Sequence, residues 1–464
     1  MRTTHPLRSA SLRSGLLAGA ALLAGAALLA GAVPLAAPVL LAVALAQEAA
    51  APLTLYATGQ SRGNLEPCEC VEGMSGGFPR RLSLLAREAR LHPRRVVVDL
   101  GDLTGKSFDP RLLEKKTAAG LELLRRSGAA AVVVGEQDLR LGAARLAALA
   151  RAAGVELLGA NLRDAEGKQP FAASTRVKVE GEARALFLVG VLDPALTGPG
   201  AGLQATDPAA AVQAALAAAP ADARKVVLLH GTAKLGARLA QLSGVELVVC
   251  GHDQEERPPL AREGRALVVE VVRDARALTR LELGATPALT HLELDGRIPD
   301  DKAARARIDR YYAEAAGLEQ KRSAPPEGGQ LVGPSTCGTC HQEQVTLFEK
   351  SRHHGAHARV LKKDPKRAAL PECVVCHVTG YGFEGGFVDL ERTPDLAEVS
   401  CEACHGVGGD HADAGGGRGY GVRPGFPDAW KPLCLECHDA SNSPGFDFAK
   451  ALEKIKHWRE KKKP

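Results

Sequence analysis

The sequence is poor in aromatic residues and almost free of methionine. Phe, Trp and Tyr make up 4% of its 464 residues, and the two methionines are Met1 and Met74. Beyond residue 74, therefore, no thioether ligand is available to a metal. The chain also lacks a basic stripe interleaved with aromatic residues, and this excludes the usual pattern of a nucleic-acid-binding surface. The net charge of +5 is modest, while a hydrophobic content of 45% allows a sizeable core.

The cysteines, by contrast, follow a repeated pattern. Eight of the eleven occur in four copies of Cys-x-x-Cys-His: Cys337, Cys340 and His341; Cys373, Cys376 and His377; Cys401, Cys404 and His405; and Cys434, Cys437 and His438. This spacing is typical of c-type haem attachment, in which the two thiols bond to the haem edge and the histidine ligates iron. Paired zinc ribbons are the alternative. They do not require a histidine after every second cysteine, so the motifs predict four covalently bound haem c groups.

The N-terminus indicates export. A basic segment with Arg2, Arg8 and Arg13 precedes an apolar run from Leu16 to Leu45, and small residues around Ala46 form a cleavage signal. This pattern is typical of a secretory signal peptide over residues 1–46. An uncleaved membrane anchor is the alternative, because the apolar run is long. Haem attachment outside the cytoplasm agrees with export. We therefore expect a periplasmic or exported protein that contacts a membrane only if the leader is retained.

Residues 52–295 are predicted to form an α/β layered domain, because strand-like runs alternate with amphipathic helical stretches. The strand-like runs are Leu53–Thr58, Arg95–Leu100, Ala130–Val134, Glu156–Ala160, Ala185–Val191, Val226–His230 and Val245–Cys250. The clearest helical stretches are Leu112–Arg126 and Ala143–Ala153. Three later runs, Ala266–Val272, Leu278–Leu283 and His291–Leu294, have no helices between them. We expect these to be antiparallel strands of a second sheet.

Polar segments follow several of these strands, at the edge where α/β folds place their chemistry. They are Gly-Gln-Ser-Arg-Gly-Asn at 59–64, Asp-Leu-Gly-Asp at 99–102, Gly-Glu-Gln-Asp at 135–138, His-Gly at 230–231 and Gly-His-Asp-Gln at 251–254, with Gly-Gly-Phe-Pro-Arg at 76–80. Their order and spacing resemble the calcineurin-type metallophosphatases, in the 5′-nucleotidase-like branch. In that family the matching residues hold two metal ions that activate water and clamp a phosphate ester.

The chain departs from the family pattern at four positions, one of which is Glu136 in place of Asn. Where the first motif of the family supplies Asp and His to one metal, this chain has Gln60 and Arg62. A guanidinium cannot ligate a metal, so we interpret Arg62 as replacing the charge of one. The catalytic histidine of the family is replaced by Gln137, which has no useful pKa for proton transfer. Two-metal hydrolysis is therefore disfavoured, and no catalytic residue is assigned.

One metal site could still be built, from Asp102, Glu136, His230 and His252. Two imidazoles and two carboxylates suit a single divalent ion such as manganese or zinc. The alternative is a vestigial site in which the two histidines are hydrogen-bonded residues at strand ends.

Three cysteines lie outside the haem motifs. Cys68 and Cys70 follow the first strand, and Cys250 ends a later strand beside His252. In an oxidising compartment one disulfide and one free thiol is the natural arrangement, with the pairing unassigned. A thiol metal or redox site is the alternative.

The remaining chain divides into a connector and a haem domain. A charged helix over Asp300–Gln320 and a Pro/Gly-rich segment after Ser323 place the connector at 296–330 and the haem domain at 331–464. The haem domain has no methionine, which argues against a His/Met haem within the chain. Its further histidines, which can complete at least three bis-histidine haems, are His353, His354, His357, His411 and His457.

The haem domain resembles the tetrahaem cytochromes of the cytochrome c-554 type. The matching segments are Phe348-x-x-Ser351-x-His353, Cys376-His377-Val-Thr-Gly-Tyr-Gly with Gly385-Gly-Phe, Cys401-Glu-x-Cys404-His405-Gly with His411, and Ile455-x-His457. In that family three haems are bis-histidine and one is five-coordinate. By position, the resemblance makes His353, His411 and His457 the distal ligands and leaves His354 and His357 unassigned.

Together these features predict an exported electron-transfer protein with a non-catalytic, two-sheet metallophosphatase-like domain followed by a small, mostly helical or irregular multihaem domain. Its partners would be periplasmic redox proteins, one an electron donor and one an acceptor. Two alternatives stay open. One is a metal-dependent phosphoesterase or nucleotidase with an attached cytochrome. The other is a haem enzyme that acts on a small nitrogen or sulfur compound at an open iron.

Overall fold

From residue 51 the chain folds into two β-sheets with flanking helices, and then into a series of short helices. The computed structural model describes residues 51–457 apart from gaps at 68–73, 106–108, 198–201, 253, 255, 319–321, 326, 366, 418–426, 439–441 and 444. The predicted signal peptide, Cys68, Cys70 and the basic end of the chain lie outside the described residues. No helix among the described residues is long and apolar enough to cross a membrane.

The strands build two six-stranded sheets and a two-stranded one. In chain order they are β1 (Leu53–Thr58), β2 (Arg95–Asp99), β3 (Ala129–Val133), β4 (Leu157–Leu158), β5 (Leu162–Arg163), β6 (Ser174–Val177), β7 (Leu186–Leu192), β8 (Gln204–Ala205), β9 (Arg224–His230), β10 (Leu247–Gly251), β11 (Ala261–Glu263), β12 (Ala266–Glu270), β13 (Ala277–Leu283) and β14 (Ala288–Glu293). Sheet I has the order β14-β13-β1-β2-β3-β4, sheet II the order β11-β12-β10-β9-β7-β6, and β5 pairs with β8.

The sheets meet through an apolar layer built from alternate residues of their strands. Leu55 and Val98 of sheet I share one buried cluster with Leu188, Leu228 and Val249 of sheet II. Alternation places these side chains on one face of each sheet, and the central parallel strands carry apolar residues on their other face as well. The predicted architecture of two sheets flanked by helices is confirmed.

The prediction that the runs Ala266–Val272, Leu278–Leu283 and His291–Leu294 are antiparallel strands of one sheet is wrong in one respect. These strands are divided between the two sheets. β12 pairs in parallel with β10 and so belongs to sheet II. β13 and β14 return to sheet I, where β13 is antiparallel to β1. Absence of helices between the runs indicated antiparallel neighbours, but a chain can also cross from one sheet to the other through a short turn, here at residues 273–275.

Helices cover the outer faces of both sheets. They are α1 (Phe78–Leu91), α2 (Pro110–Arg126), α3 (Ala143–Ala153), α4 (Pro208–Ala217), α5 (Ala233–Ala240) and α6 (Lys302–Ala316). The α3 prediction is confirmed at both ends. α2 begins two residues before the predicted Leu112, because Pro110 occupies its first turn and the Asp109 carboxylate accepts the Arg111 N–H. α6 lies inside the predicted connector, yet Ile308 and Tyr311 pack in one core cluster with Leu121 of α2.

The C-terminal region consists of short helices joined by turns. These are α7 (Gly333–Gly338), α8 (Gln342–Glu349), α9 (Ala356–Lys363), α10 (Pro371–His377), α11 (Cys401–His405), α12 (Gly409–Asp413), α13 (Pro427–Cys437) and α14 (Phe448–Ile455). The predicted Pro/Gly linker is bonded to this region, since the Ser323 N–H donates to the Gly382 carbonyl and the Asp410 N–H to that of Gly328. The described residues from Ala51 onward group into one compact unit.

Candidate functional site

The four predicted metal ligands converge between the two sheets. Asp102 and Glu136 follow β2 and β3 of sheet I, while His230 ends β9 and His252 follows β10 of sheet II. Their ligand atoms all lie within 4.8 Å of one another. Because the carboxyl ends of parallel strands share one sheet edge, residues far apart in the chain meet here. One sheet therefore supplies both carboxylates, and the other supplies both imidazoles.

His230 is fully buried and its ring is fixed by bonds at both nitrogens. Its Nδ1–H donates to the Leu100 carbonyl at 2.5 Å, which turns Nε2 toward the carboxylates. Nε2 lies 2.7 Å from Glu136 Oε2 and 3.6 Å from Asp102 Oδ2. Burial alone would lower the pKa of His230, but the two carboxylates raise it to about 9. A ring held in this way directs Nε2 toward the carboxylates, where it could ligate a metal ion that displaces its proton.

The two carboxylates have different surroundings. Glu136 contacts both histidines, with His252 Nε2 at 3.3 Å from Oε1, and although burial would raise the pKa of Glu136, these hydrogen bonds hold it well below its usual value. Asp102 is fully buried, and burial raises its pKa despite the charge of His230. Its Oδ1 accepts the Gln137 N–H at 2.9 Å, whereas Oδ2 has no hydrogen-bond partner among the described residues. A buried acceptor without a donor, facing two imidazoles, fits a bound cation.

Asp138 supports this cluster from behind, a role that sequence reasoning missed. Its carboxylate accepts backbone N–H groups of Asp102 at 2.9 Å, Thr104 at 2.8 Å and Gly135 at 2.9 Å. The sequence feature that could have indicated this role is the position of Asp138 at the end of the polar Gly-Glu-Gln-Asp segment. Gly135 is required by close approach, since a Cβ there would stand 2.2 Å from Asp102 Oδ1. The loops that carry both carboxylates are therefore tied together.

The residues that depart from the family pattern lie beside the cluster. The Arg62 N–H donates to the Asp102 carbonyl at 2.7 Å, and its guanidinium lies 3.7 Å from the buried carboxylate of Asp274. Arg62 and Asp102 both adopt positive φ, 48° and 54°, a costly conformation that is concentrated at functional sites. Asp274, which also lies 3.6 Å from Arg276, was not anticipated and has no motif to signal it. The interpretation of Arg62 as a substitute for a metal charge stays a prediction.

Two glutamines contact carboxylates in this part of the domain. Gln137 donates from Nε2 to Glu136 Oε1 at 3.1 Å. It therefore orients the carboxylate of a candidate metal ligand and does not transfer a proton. Gln254 donates to Glu270 Oε2 at 3.2 Å. Cys250, in contrast, packs in the outer core of sheet II as a fully buried thiol that is bonded to no described cysteine, and burial raises its pKa. The predicted disulfide stays a prediction, because Cys68 and Cys70 lie outside the described residues.

In the C-terminal region, each Cys-x-x-Cys-His motif lies on or at the end of a short helix: α7, α10, α11 or α13. One helical turn places the two thiols of a motif on a common face, with the histidine directly after the second thiol. The turn is closed by a backbone hydrogen bond from the His341 N–H to the Cys337 carbonyl in the first motif, and from the His438 N–H to the Cys434 carbonyl in the fourth. The thiols of Cys337 and Cys401 are themselves in contact, and this interaction raises the pKa of Cys337. The first and third motifs are therefore adjacent.

Three motif histidines face a second imidazole. The ring centres are 6.3 Å apart for His341 and His411, 6.0 Å for His438 and His353, and 5.7 Å for His405 and His457. Metal–imidazole bonds are about 2 Å long, so two rings on opposite sides of one iron have centres about 6 Å apart. The residues present thus fit three bis-histidine haems, and the second rings are those that the resemblance gave as distal ligands.

The fourth motif histidine, His377, has no such ring contact with another histidine in the described part of the chain. The two unassigned histidines each have a polar contact of their own at one ring nitrogen. His354 Nδ1 lies 2.6 Å from Glu398 Oε2. His357 is buried against Phe387, and its Nε2 is 2.8 Å from the Ala368 carbonyl. Among the described residues, therefore, no second imidazole ring packs against His377.

Comparison with known proteins identifies the C-terminal region. Residues 336–406 match the family described as cytochrome c554 and c-prime. The cytochrome c-554 of Nitrosomonas europaea is 33% identical over 121 residues, which cover 22% of this chain and 49% of that protein. The match spans about half the length of that relative. The C-terminal region is thus cytochrome c-554-like, as predicted.

Solved structures that are similar to this chain include three metallophosphatase-like proteins. They are sulfate thiohydrolase SoxB of Thermus thermophilus (20% identity, 59% of this chain and 62% of that chain, TM-score 0.48), a 5′-nucleotidase precursor from the same species (22%, 67% and 67%, 0.49) and the calcineurin-like phosphoesterase YfkN from Bacillus subtilis (16%, 57% and 97%, 0.48). Because each TM-score is below 0.5, these similarities add nothing to what the strand order already establishes.

Proposed function

We propose that this protein is an exported multihaem electron carrier whose C-terminal region binds four haem c groups. The observation that carries the proposal is the pairing of three motif histidines with a second imidazole at the spacing that one iron requires. When bound, haem supplies the one-electron chemistry. The chain supplies thioether attachment, paired imidazoles and burial. Absence of a methionine ligand favours low reduction potentials, and periplasmic redox proteins are the proposed donor and acceptor.

The test is an iron and haem count on the purified, haem-loaded protein, together with low-temperature electron paramagnetic resonance. Four haems per chain are expected, with three low-spin signals from bis-histidine irons. Fewer than four haems would contradict the attachment assignment. A spectrum dominated by high-spin iron would contradict the proposed histidine pairs.

For the layered domain we propose a binding role that uses one divalent ion and no hydrolysis. Asp102, Glu136, His230 and His252 would hold the ion, and the unpartnered Oδ2 of Asp102 supports this. Gln137 holds Glu136 instead of moving a proton, and Arg62 faces Asp274. About one manganese or zinc per chain in addition to iron is expected from elemental analysis. A second non-haem metal, or phosphodiester hydrolysis that is lost in Asp102→Ala, would contradict the proposed role.

A second candidate function, a haem enzyme acting on a small nitrogen or sulfur compound, is favoured by one observation. Among the described residues no second histidine ring packs against His377, so an iron held there would lack a second imidazole and could bind a small ligand. Cyanide or nitric oxide is expected to shift the spectrum of one haem in four. A chain in which all four haems resist both ligands would exclude this candidate.

A further inference from the structure

The helix that carries the second haem motif is built into the core of the layered domain. Leu370, one residue before α10, is 1% exposed and belongs to the same apolar cluster as Leu112 of α2 and Ile308 of α6. Cys373 packs against this cluster. The second attachment site is therefore held by side chains from the layered domain as well as by its own region.

Glu372, directly before Cys373, is the polar anchor of this contact. Its Oε2 accepts from Lys116 Nζ of α2 at 2.7 Å and from the Tyr311 hydroxyl of α6 at 3.0 Å. The Lys116 and Glu372 side chains are only 14% and 30% exposed, so the pair is partly screened from water. Burial and the nearby carboxylate raise the pKa of Tyr311, so its hydroxyl stays protonated and donates.

Lys116 also lies against the loops of the candidate metal site. A Cβ on Gly63 would stand 3.3 Å from Lys116 Cδ, so the loop of Arg62 rests on the lysine stem. The next residue of α2, Thr117, bonds through its hydroxyl to that of Thr104 at 3.1 Å. The Thr104 backbone is tied to that of Asp102 through the Asp138 carboxylate. One turn of α2 thus contacts a metal-site loop on one side and the second haem motif on the other.

We propose that Lys116 is a positioning residue shared by the two sites, and that an ion bound at Asp102, Glu136, His230 and His252 changes the reduction potential of the second haem through the Lys116–Glu372 pair. This inference rests on the proposed ion and haem sites. Coupling of this kind is reciprocal, so the oxidation state of that haem changes the affinity of the site for the ion. Such coupling would give a physical reason for joining the two regions in one chain. Ion binding would then depend on the oxidation state of the second haem, and the potential of that haem on ion binding.

Substitutions of Lys116 and of Glu372 are expected to shift the reduction potential of the second haem in opposite directions. A carboxylate beside a haem stabilises the oxidised, more positive iron, and the lysine offsets that charge. Lys116→Gln is therefore expected to lower the potential of the second haem, and Glu372→Gln to raise it. A purely structural role would shift both in the same direction. Lys116→Arg keeps the charge and is expected to restore the wild-type potential.

The experiment is a spectroelectrochemical titration of the haem-loaded full chain with and without zinc. A His377→Met variant identifies the second haem, because it changes the ligand of that iron alone. Lys115→Gln is the matched control, since Lys115 is the neighbouring residue of α2 and pairs with Glu314 instead. Zinc is expected to shift the second potential in the wild type and in Lys115→Gln. It is expected to cause no shift in Lys116→Gln, which still binds zinc, or in Asp102→Asn, which does not.

The outcomes separate this inference from the proposed function. Zinc that binds to the wild type without moving the second potential overturns the coupling and leaves the ion site intact. Zinc that does not bind at all overturns both. Equal shifts in wild type and Lys116→Gln show that another path carries the effect, and the role of Lys116 is then wrong.

Discussion

The two candidate centres of this protein are assembled in contrasting ways. In the layered domain, four ligands distant in sequence are brought together by strand ends, and His230 is held by Leu100 and Glu136 independently of any bound group. In the C-terminal region, the attachment residues are local in sequence and lie on short helices. The layered domain therefore positions its ligands by its own fold. The C-terminal region, in contrast, has only a small apolar core to position its motifs.

The two regions also differ in how many apolar side chains they bury. Large apolar clusters join both sheets and their helices, but the cluster built within the C-terminal region is limited to residues such as Val374, Val378, Phe387 and Leu396. Most large hydrophobic side chains found exposed in the described part of the chain lie there too, including Val375 and Leu435 inside attachment motifs. Four porphyrin rings would cover such surfaces, so haem is expected to complete this core.

The largest expected effect follows from that contrast. A chain produced without haem should lose protection of backbone amides from hydrogen exchange over residues 331–457 outside α10, while residues in β1, β7 and β9 stay protected. The reason is that the C-terminal region buries too little apolar surface of its own to offset its conformational entropy. Haem-loaded protein is the control. Equal protection of both regions in the haem-free chain would show that the C-terminal fold is independent of haem.

The next effect tests the preformed centre. His230→Gln removes the imidazole between Asp102 and Glu136 and leaves the buried carboxylate of Asp102 and the partly buried carboxylate of Glu136 without it. Without added metal this should destabilise the layered domain by about 3–5 kcal/mol. Ion affinity should fall by more than about 100-fold, because even indirect partners of ligands contribute about 10–100-fold. Denaturant unfolding and zinc titration measure the two effects.

The matched control is His291→Gln in the same domain. His291 contacts Thr279 at 3.1 Å and the Pro258 carbonyl at 3.2 Å, away from the cluster, and its substitution should leave ion affinity unchanged. If both variants bind zinc like the wild type, the proposed ligand set is wrong.

Much of both centres could be predicted because their residues are marked in the sequence. The bounds of β1 were predicted because its apolar run ends at a polar loop, and the attachment residues were predicted from local spacing. The turn at Asp274 and the pair of Lys116 with Glu372 could not be predicted, since neither belongs to a motif. Which histidine faces which motif also depends on tertiary packing of short helices.

The third effect is local to one haem. His411→Ala removes the ring that faces His341 and should convert that iron from low-spin to high-spin, with little change elsewhere in the chain. His354→Ala is the matched control, because His354 contacts Glu398 and faces no motif histidine at axial distance among the described residues. Electron paramagnetic resonance distinguishes the two. A spin change in His354→Ala, or none in His411→Ala, would require a different assignment of the distal ligands.

The smallest expected effect is on hydrolysis. Gln137→His restores a group able to transfer a proton, and such groups typically contribute about 10²–10⁴-fold to a rate. We nevertheless expect no hydrolysis of bis-p-nitrophenyl phosphate with manganese or zinc, because Gln60 and Arg62 still replace the ligands of a second ion. Combining it with Gln60→Asp and Arg62→His supplies those ligands, and only this triple variant is expected to gain activity. Hydrolysis by Gln137→His alone would mean that one ion suffices and that the layered domain lacks only its acid–base residue. The contrast between the two regions would then change, because the preformed centre would be an active site one substitution from function rather than a binding site.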